Sequence, residues 1–237
     1  MMDAAQRTAR SLSRSLFVLA LAPVFATPAV AQVNYPLAPG TRWTYHLNQE
    51  NGPGVRFGEN SAKLAKGNVL DATAVSVAAV AEAVGTQKYT RVTTRLGDFL
   101  FLTEWFSIAP DGLFMGKSVN EDGEETVMSP PQKLLGATLK AGETWTWRAA
   151  DAPVSIAVRV VGPAEVIVPA GTYQTTQVLH ETTIQAGPAM VILVKQTRWF
   201  APGVGYVKQE TETRAGDRLL SRVSLALTKF EPVSTVK

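Results

Sequence analysis

Beyond residue 32 the chain consists mainly of short runs in which apolar and polar residues alternate. From Thr41 to Leu47, the side chains of Trp43, Tyr45 and Leu47 fall on one side and polar side chains on the other, which predicts a half-buried strand. Residues 191–229 add three long strand-like runs, and we predict a hairpin around the turn at 215–217. No helical period is sustained for three turns, apart from a brief one near 132–135.

An internal repeat organises these strands. The motif Gly40-x-x-Trp43-Thr44-Tyr45 recurs as Gly142-x-x-Trp145-Thr146-Trp147, and Trp105-Phe106 recurs as Trp199-Phe200. The residues inserted between matching positions fall in turn-rich segments, which favours a duplication over coincidence. We therefore predict two related units, about 35–117 and 137–230, joined by a linker at 118–136.

The repeat also decides an ambiguous stretch, 72–84, where many alanines suggest a helix and Val75 and Val77 suggest a strand. In the second half, the runs 154–161 and 166–168 precede a turn at Gly171-Thr172-Tyr173. In the first half, 74–84 precedes Gly85-Thr86 in the same order, and we predict strand, turn and strand in both. The fold class is all-β: a mostly antiparallel curved sheet, half-barrel or sandwich built from two tandem units.

Two segments predict loops. Residues 50–68 carry four glycines, a proline and scattered charge, which indicates a loop or a loosely paired hairpin. The stretch 118–133 combines the acidic cluster at 121–125 with Pro130-Pro131, which is typical of a solvated loop or linker rather than a cation site.

The first 31 residues predict an export signal. Three arginines precede an apolar run of about 11 residues, too short for a membrane span, and Ala29-Val30-Ala31 predicts cleavage before Gln32. We expect a periplasmic or secreted protein that is not an integral membrane protein. The chain has no cysteine, which excludes disulfides. The remaining residues carry a net charge of +1, so nucleic acid is not an expected partner.

The turn and aromatic positions resemble those of a family of exported bacterial proteins, the DUF3108-like or TapB type, which is largely of unknown function. The resemblance extends from Tyr35 to about Phe230 and implies a scaffold without implying an activity. It is carried by Tyr35-Pro36-Leu37 with Gly40 and Trp43, by Gly142-Glu143-Thr144-Trp145, by Val168-Pro169-Ala170-Gly171-Thr172-Tyr173, and by Trp199-Phe200-Ala201-Pro202-Gly203-Val204-Gly205.

Candidate chemistry is sparse. His46 lies on the polar side of its strand, and His180 and Glu181 are adjacent strand residues that point to opposite faces. Two isolated histidines without cysteine do not make a zinc site, and we expect no metal, cofactor or catalytic residue. Glu104, Glu181 and Glu210 lie in strands and could serve a hydrolase only if two of them faced one cleft.

The first hypothesis is a non-enzymatic periplasmic binding or chaperone-like protein whose aromatic-lined face holds an apolar ligand or a segment of an envelope protein. Its candidate binding residues are Trp43, Tyr45, Trp105, Trp145, Trp147 and Trp199. The second hypothesis is a structural or interaction protein of the cell envelope with a filled core and no ligand cavity. The third is a carboxylate-dependent hydrolase. A pocket of a few hundred Å³ lined by tryptophans would separate the first from the second.

Overall fold

The structure is a computed structural model that describes residues 35–84, 87–187 and 190–233. The predicted export signal, its cleavage site after Ala31, and the turn residues Gly85, Thr86 and Pro188 lie outside the described residues.

Twelve strands and one short helix make up the described chain. The elements are β1 (Arg42–Asn51), α1 (Glu59–Leu64), β2 (Val69–Val84), β3 (Gln87–Leu96), β4 (Phe99–Ala109), β5 (Gly112–Asn120), β6 (Glu125–Gly136), β7 (Thr144–Arg148), β8 (Val154–Val168), β9 (Gly171–Gln185), β10 (Val191–Ala201), β11 (Gly205–Ala215) and β12 (Arg218–Glu231).

All twelve strands belong to one antiparallel sheet. Its order is β6-β5-β4-β3-β2-β1-β12-β11-β10-β9-β8-β7, so consecutive strands pair with each other everywhere except at β6 and β7, and β1 also pairs with β12. The sheet curves into a nearly closed, barrel-like form in which β6 and β7 are the two edges. The all-β prediction is therefore confirmed, in the form of a continuous curved sheet.

The alanine-rich stretch is strand β2, as predicted. Ala74 lies directly opposite Tyr45 of β1, and both are almost fully buried. The short alanine side chains at 74 and 78 leave room inside the sheet for the large aromatics of β1. This packing outweighs the helix propensity of alanine.

Backbone hydrogen bonds repeat between the two halves of the chain. The N–H of Gly40 donates to Ala78 O (2.8 Å), and the N–H of Gly142 donates to Val160 O (2.9 Å). Both motif glycines have positive φ values, 94° and 83°, which glycine adopts without a steric penalty. These bonds support the proposal that β1–β6 and β7–β12 are related units, with Trp43 equivalent to Trp145.

The Trp-Phe pairs also lie in matching surroundings. The pair 105–106 in β4 and the pair 199–200 in β10 each face a bulge in the next strand, where one residue, Gly116 or Val207, is left out of the register. We propose on this basis that Trp105 and Trp199 are equivalent. A full superposition of the two halves is the remaining test of the duplication.

The segment 118–136 is not a solvated linker. It contains the end of β5, a turn at 121–124 and the whole of β6, which pairs with β5 in the sheet. Glu121 in the turn accepts hydrogen bonds from the N–H and the hydroxyl of Ser61, both at 2.8 Å. The acidic turn therefore fixes α1, a helix within the predicted loop 50–68 that its composition did not reveal.

Side chains rather than a backbone ladder join the edges β6 and β7, and we call this junction the seam. The indole N–H groups of Trp145 and Trp147 donate to Lys133 O (2.9 Å) and Pro130 O (2.8 Å) of β6. One backbone bond, from Ala150 N–H to Ser129 O (2.7 Å), continues the seam. Pro130 and Pro131 have no N–H to donate, so a regular ladder cannot form here.

Replacing Trp147→Phe should lower the free energy of unfolding by about 1–3 kcal/mol more than Trp199→Phe does, because an acceptor is left without its donor. Trp199 is a matched control, since its indole N–H has no protein partner among the described residues. Urea unfolding of the purified variants measures both values. Equal losses for the two variants would contradict a role of the indole hydrogen bond in closing the seam.

Candidate functional site

The structure places the six predicted aromatic residues in three separate environments. Trp43 and Tyr45 lie inside the sheet, 1% and 2% exposed. The Trp43 indole donates to Val204 O at 2.6 Å, and the Tyr45 hydroxyl donates to Tyr206 O at 3.0 Å. Tyr45 also stacks on Tyr206, with ring centroids 5.1 Å apart. The indole N–H of Trp43 and the hydroxyl of Tyr45 are therefore both hydrogen-bonded within the protein.

Trp145 and Trp147 lie at the seam, where their indoles are bonded to β6. Trp105 and Trp199 lie on the outer face, because each is directly opposite a lysine of the next strand. Lys117 Nζ lies 4.9 Å from the Trp105 ring centroid, and Lys208 Nζ lies 4.7 Å from that of Trp199. The six residues do not form one face.

The residues before the two Trp-Phe pairs, Glu104 and Arg198, both point inward. Glu104 is opposite the buried Val92, and Arg198 is opposite the fully buried Val178. Their charges lie near the buried hydroxyls of Tyr35 and Tyr206. Burial raises the pKa of Glu104, whereas the Arg198 charge lowers it. We call Glu104, Arg198, Tyr35 and Tyr206 the inner polar cluster.

The inner polar cluster could have been suspected from the sequence. In a strand with Trp105 outside, alternation turns both Glu104 and Phe106 inward, and the same rule applies to Arg198 and Phe200. Alternation does not say which face is buried, however, and charged strand residues lie on the solvated face by default. The inward placement of two opposite charges, each just before a Trp-Phe pair, is a property of the assembled sheet.

Little space remains around the inner polar cluster. The cavity between its members and Phe106, Leu113, Leu134 and Phe200 admits water-sized molecules over only about 10 Å³. This is room for about one water molecule, whereas sites for small ligands span roughly 300–1,000 Å³. The aromatic side chains fill this part of the interior instead of lining a binding pocket.

His180 also faces the interior, while the adjacent Glu181 is exposed, as the sequence predicted. Because a carbonyl can only accept, His180 Nε2–H donates to Leu134 O of β6, at 3.1 Å. Nδ1 is buried without a protein partner. Burial first, and then the Arg198 charge, lower the pKa of His180 to about 3, so the ring is neutral at pH 7.

His46 is exposed on the outer face, as predicted, and its Nε2 lies 2.9 Å from the Asp71 carboxylate. Of the three strand carboxylates, Glu104 points inward, whereas Glu210 and the exposed Glu181 point outward. Within the described ranges, no three histidine or acidic side chains converge as a metal site would require. The one described helix, α1, has six residues, and no described helix is long and apolar enough to cross a membrane.

The surface of the protein carries an open groove of about 520 Å³ at the ends of β3, β4 and β5, beside the middle of β6. We call it the apolar groove. Ile108, 56% exposed, contributes to it, and its other apolar members are Ala109, Phe114, Pro130 and Pro131. The two prolines also lie at the seam, so one segment of β6 both closes the sheet and borders the groove.

Acid should weaken the protein through His180. In the unfolded chain His180 has a pKa near 6.5, whereas in the folded chain its pKa is about 3. The stability that neutral His180 contributes is therefore fully present above pH 6.5 and is lost progressively as the pH falls from 6.5 towards 3. Glu104 acts in the opposite direction, because burial raises its pKa and favours the folded state at low pH.

In His180→Gln, an amide can still donate to Leu134 O but cannot titrate. Between pH 7 and pH 4.5 this variant should lose about 2 kcal/mol less unfolding free energy than the natural chain. Urea unfolding at a series of pH values measures the difference. Parallel pH profiles for the two proteins would show that burial of a neutral His180 does not contribute to acid sensitivity.

The fold defines a class: a continuous, nearly closed antiparallel β-sheet, with little space around the inner polar cluster. The model of the DUF3108-like family matches residues 128–225, which confirms the family resemblance seen in the sequence. The match begins within β6, contains the second copy of the repeated tryptophan motif, residues 142–147, and ends in β12. It is narrower than the span from 35 to 230 that the sequence motifs suggested.

Two crystal structures show similarity over most of the chain. One is a Bacteroides fragilis protein inferred to be exported, with a YmcC-like fold, at 15% identity and a TM-score of 0.40. The other is a Parabacteroides distasonis protein inferred to be a lipoprotein, at 13% identity and a TM-score of 0.38. Each similarity covers 85% of this chain and 99% of the other chain. No curated protein matches the sequence.

Proposed function

We propose that this chain is a non-enzymatic interaction protein of the cell envelope that acts through its outer surface. The observation that carries the proposal is the filled interior around the inner polar cluster, where about 10 Å³ remains. Of the hypotheses drawn from the sequence, this supports the interaction protein with a filled core over the carrier of an apolar ligand. Export, with cleavage near Ala31/Gln32, is part of the proposal.

The contacts of the tryptophan side chains also support an interaction protein over a carrier of an apolar ligand. Four of the five indoles are hydrogen-bonded to protein groups, and Trp199 lies beneath Lys208. A residue that anchors the fold in this way is poorly suited to release its contacts for a ligand, because each freed acceptor oxygen would lose its donor.

The apolar groove offers a binding site for a segment of a partner protein. Exposed apolar side chains beside small polar ones are typical of surfaces that bind another protein. The groove offers Ile108 and Phe114 as apolar contacts, with Ser107, Gln87 and Asp111 at its border. We propose that an apolar segment of an envelope protein binds here. The described residues do not favour a hydrolase, because the three strand carboxylates do not share a described cleft: Glu104 lines the small inner cavity, Glu210 lines an outer groove, and Glu181 lines neither.

Native mass spectrometry of protein purified from the periplasm should detect the chain without bound lipid. The dye N-phenyl-1-naphthylamine should likewise gain no fluorescence from it, because the interior around the inner polar cluster has no room for either molecule. A stoichiometric co-purifying lipid, displaced by the dye, would overturn the filled-core proposal and restore the carrier hypothesis.

A photo-crosslinking amino acid at position 108 should trap one defined envelope protein in living cells. The matched control is position 167 in β8, an isoleucine that is 77% exposed and lies outside the groove. The substitution Phe114→Glu should abolish the product from position 108, because it places a charge in the groove. The same product from position 167, or no product from 108, would contradict the proposed binding surface.

A further inference from the structure

A second groove lies on the outer face of the sheet, over the junction of β12 and β1. Strand register places polar residues there in a row across four strands: Thr197 is opposite Glu210, Glu210 is opposite Ser224, and Ser224 is opposite Asn48. Residues directly opposite one another point to the same side of the sheet. The row therefore presents hydroxyl, carboxylate and amide groups together on one surface.

A parallel row two residues away contains Lys195, Glu212, Arg222 and Glu50, in the same strand order. The two rows line an open space of about 500 Å³, which we call the polar groove. Its volume lies within the range of small-ligand sites. Ser224 is short and lies between the longer Asn48 and Glu210, so β12 forms the floor of the groove.

The charges around the polar groove largely balance. Glu212 accepts hydrogen bonds from Arg214 (2.6 Å) and Arg222 (3.1 Å), which hold its pKa below the usual range. Glu210 pairs with Lys208 at 2.7 Å. A groove whose ionic groups neutralise one another provides no net field for a polyanion or a polycation. Its ligand should be polar but uncharged.

Several polar groups of the groove have no partner within the protein. Among the described residues, the side chains of Asn48, Glu50, Lys195, Thr197 and Ser224 make no hydrogen bond or ion pair. Together they offer amide and hydroxyl donors and acceptors, a carboxylate acceptor and an ammonium donor. A ligand with many hydroxyl groups can bond to the donors and the acceptors at once, whereas a lipid chain can bond to neither donors nor acceptors.

We propose that the polar groove binds a neutral saccharide, laid across β10, β11, β12 and β1. The hydroxyl groups of the sugar would bond to Asn48, Thr197 and Ser224, and Glu50 would accept from a further hydroxyl. This site is separate from the apolar groove and does not depend on the partner proposed there. The protein would then contact a protein partner and a glycan through different parts of one rigid sheet.

The test is a titration of the full exported chain, labelled with nitrogen-15, with three neutral oligosaccharides: maltohexaose, cellohexaose and chitohexaose. Amide signals of the β10, β11, β12 and β1 residues around the groove should shift with at least one of them. Ser224→Arg fills the floor of the groove and should weaken binding at least tenfold. Asn48→Ala, which adds no bulk, should also weaken it and covers the case in which Ser224→Arg does not fold.

Thr172→Arg is the matched control, since it adds the same charge at an exposed position of β9 outside the groove and should bind like the natural chain. The proposal is overturned if none of the three saccharides shifts any groove signal at millimolar concentration, if the shifts map elsewhere, or if Ser224→Arg and Asn48→Ala bind normally. Stronger binding of dextran sulfate at the same residues would overturn the neutral-ligand claim. None of these results affects crosslinking from position 108.

Discussion

The indole hydrogen bonds of Trp145 and Trp147 complete a sheet that the backbone alone leaves open. Twelve strands in sequential order bring β6 and β7 together as the last two edges, and edges with unpaired backbone groups invite pairing with other chains. Prolines in β6 prevent a ladder, and donor-only indoles satisfy the carbonyls that remain. His180 adds a third side-chain donor from β9 to the same strand. These contacts hold the two edges of the curved sheet against each other beside its interior.

Opposite charges explain how the interior can hold both Glu104 and Arg198. Each residue precedes a Trp-Phe pair, and the sheet turns both side chains inward. Two like charges at these positions would repel in a poorly solvated interior. Opposite charges keep this part of the interior close to neutral, while the surrounding tyrosines supply polar neighbours. If the two halves are related, as we propose, they have to differ in charge at this position.

The sequence predicts the strands well because alternation records which face of each strand is buried. It identified β1 from Trp43 and Tyr45, assigned β2 as a strand despite its alanines, and located the β11–β12 hairpin. It did not predict β6, because charge and proline suggested a linker and the pairing with β5 is a tertiary contact. The repeated Gly-x-x-Trp-Thr-aromatic motif also did not indicate that its two tryptophans differ, with Trp43 packed in the core and Trp145 bonded across the seam. That difference depends on whether the neighbouring strand continues the ladder, as β12 does for β1 and β6 does not for β7.

The two grooves lie at different junctions of the sheet. The polar groove crosses the β12–β1 junction, and the apolar groove ends at β6, beside the junction with β7. At β12–β1 a backbone ladder with one irregularity, at Thr44/Tyr45, holds the strands together, so the outward side chains of Asn48 and Ser224 remain free for polar contacts. At β6–β7 the absence of a ladder brings Pro130 and Pro131 to the surface, where they border an apolar site. If the two halves are related, as we propose, β12–β1 and β6–β7 are equivalent junctions, and their different closure produces two surfaces of different chemistry on one sheet.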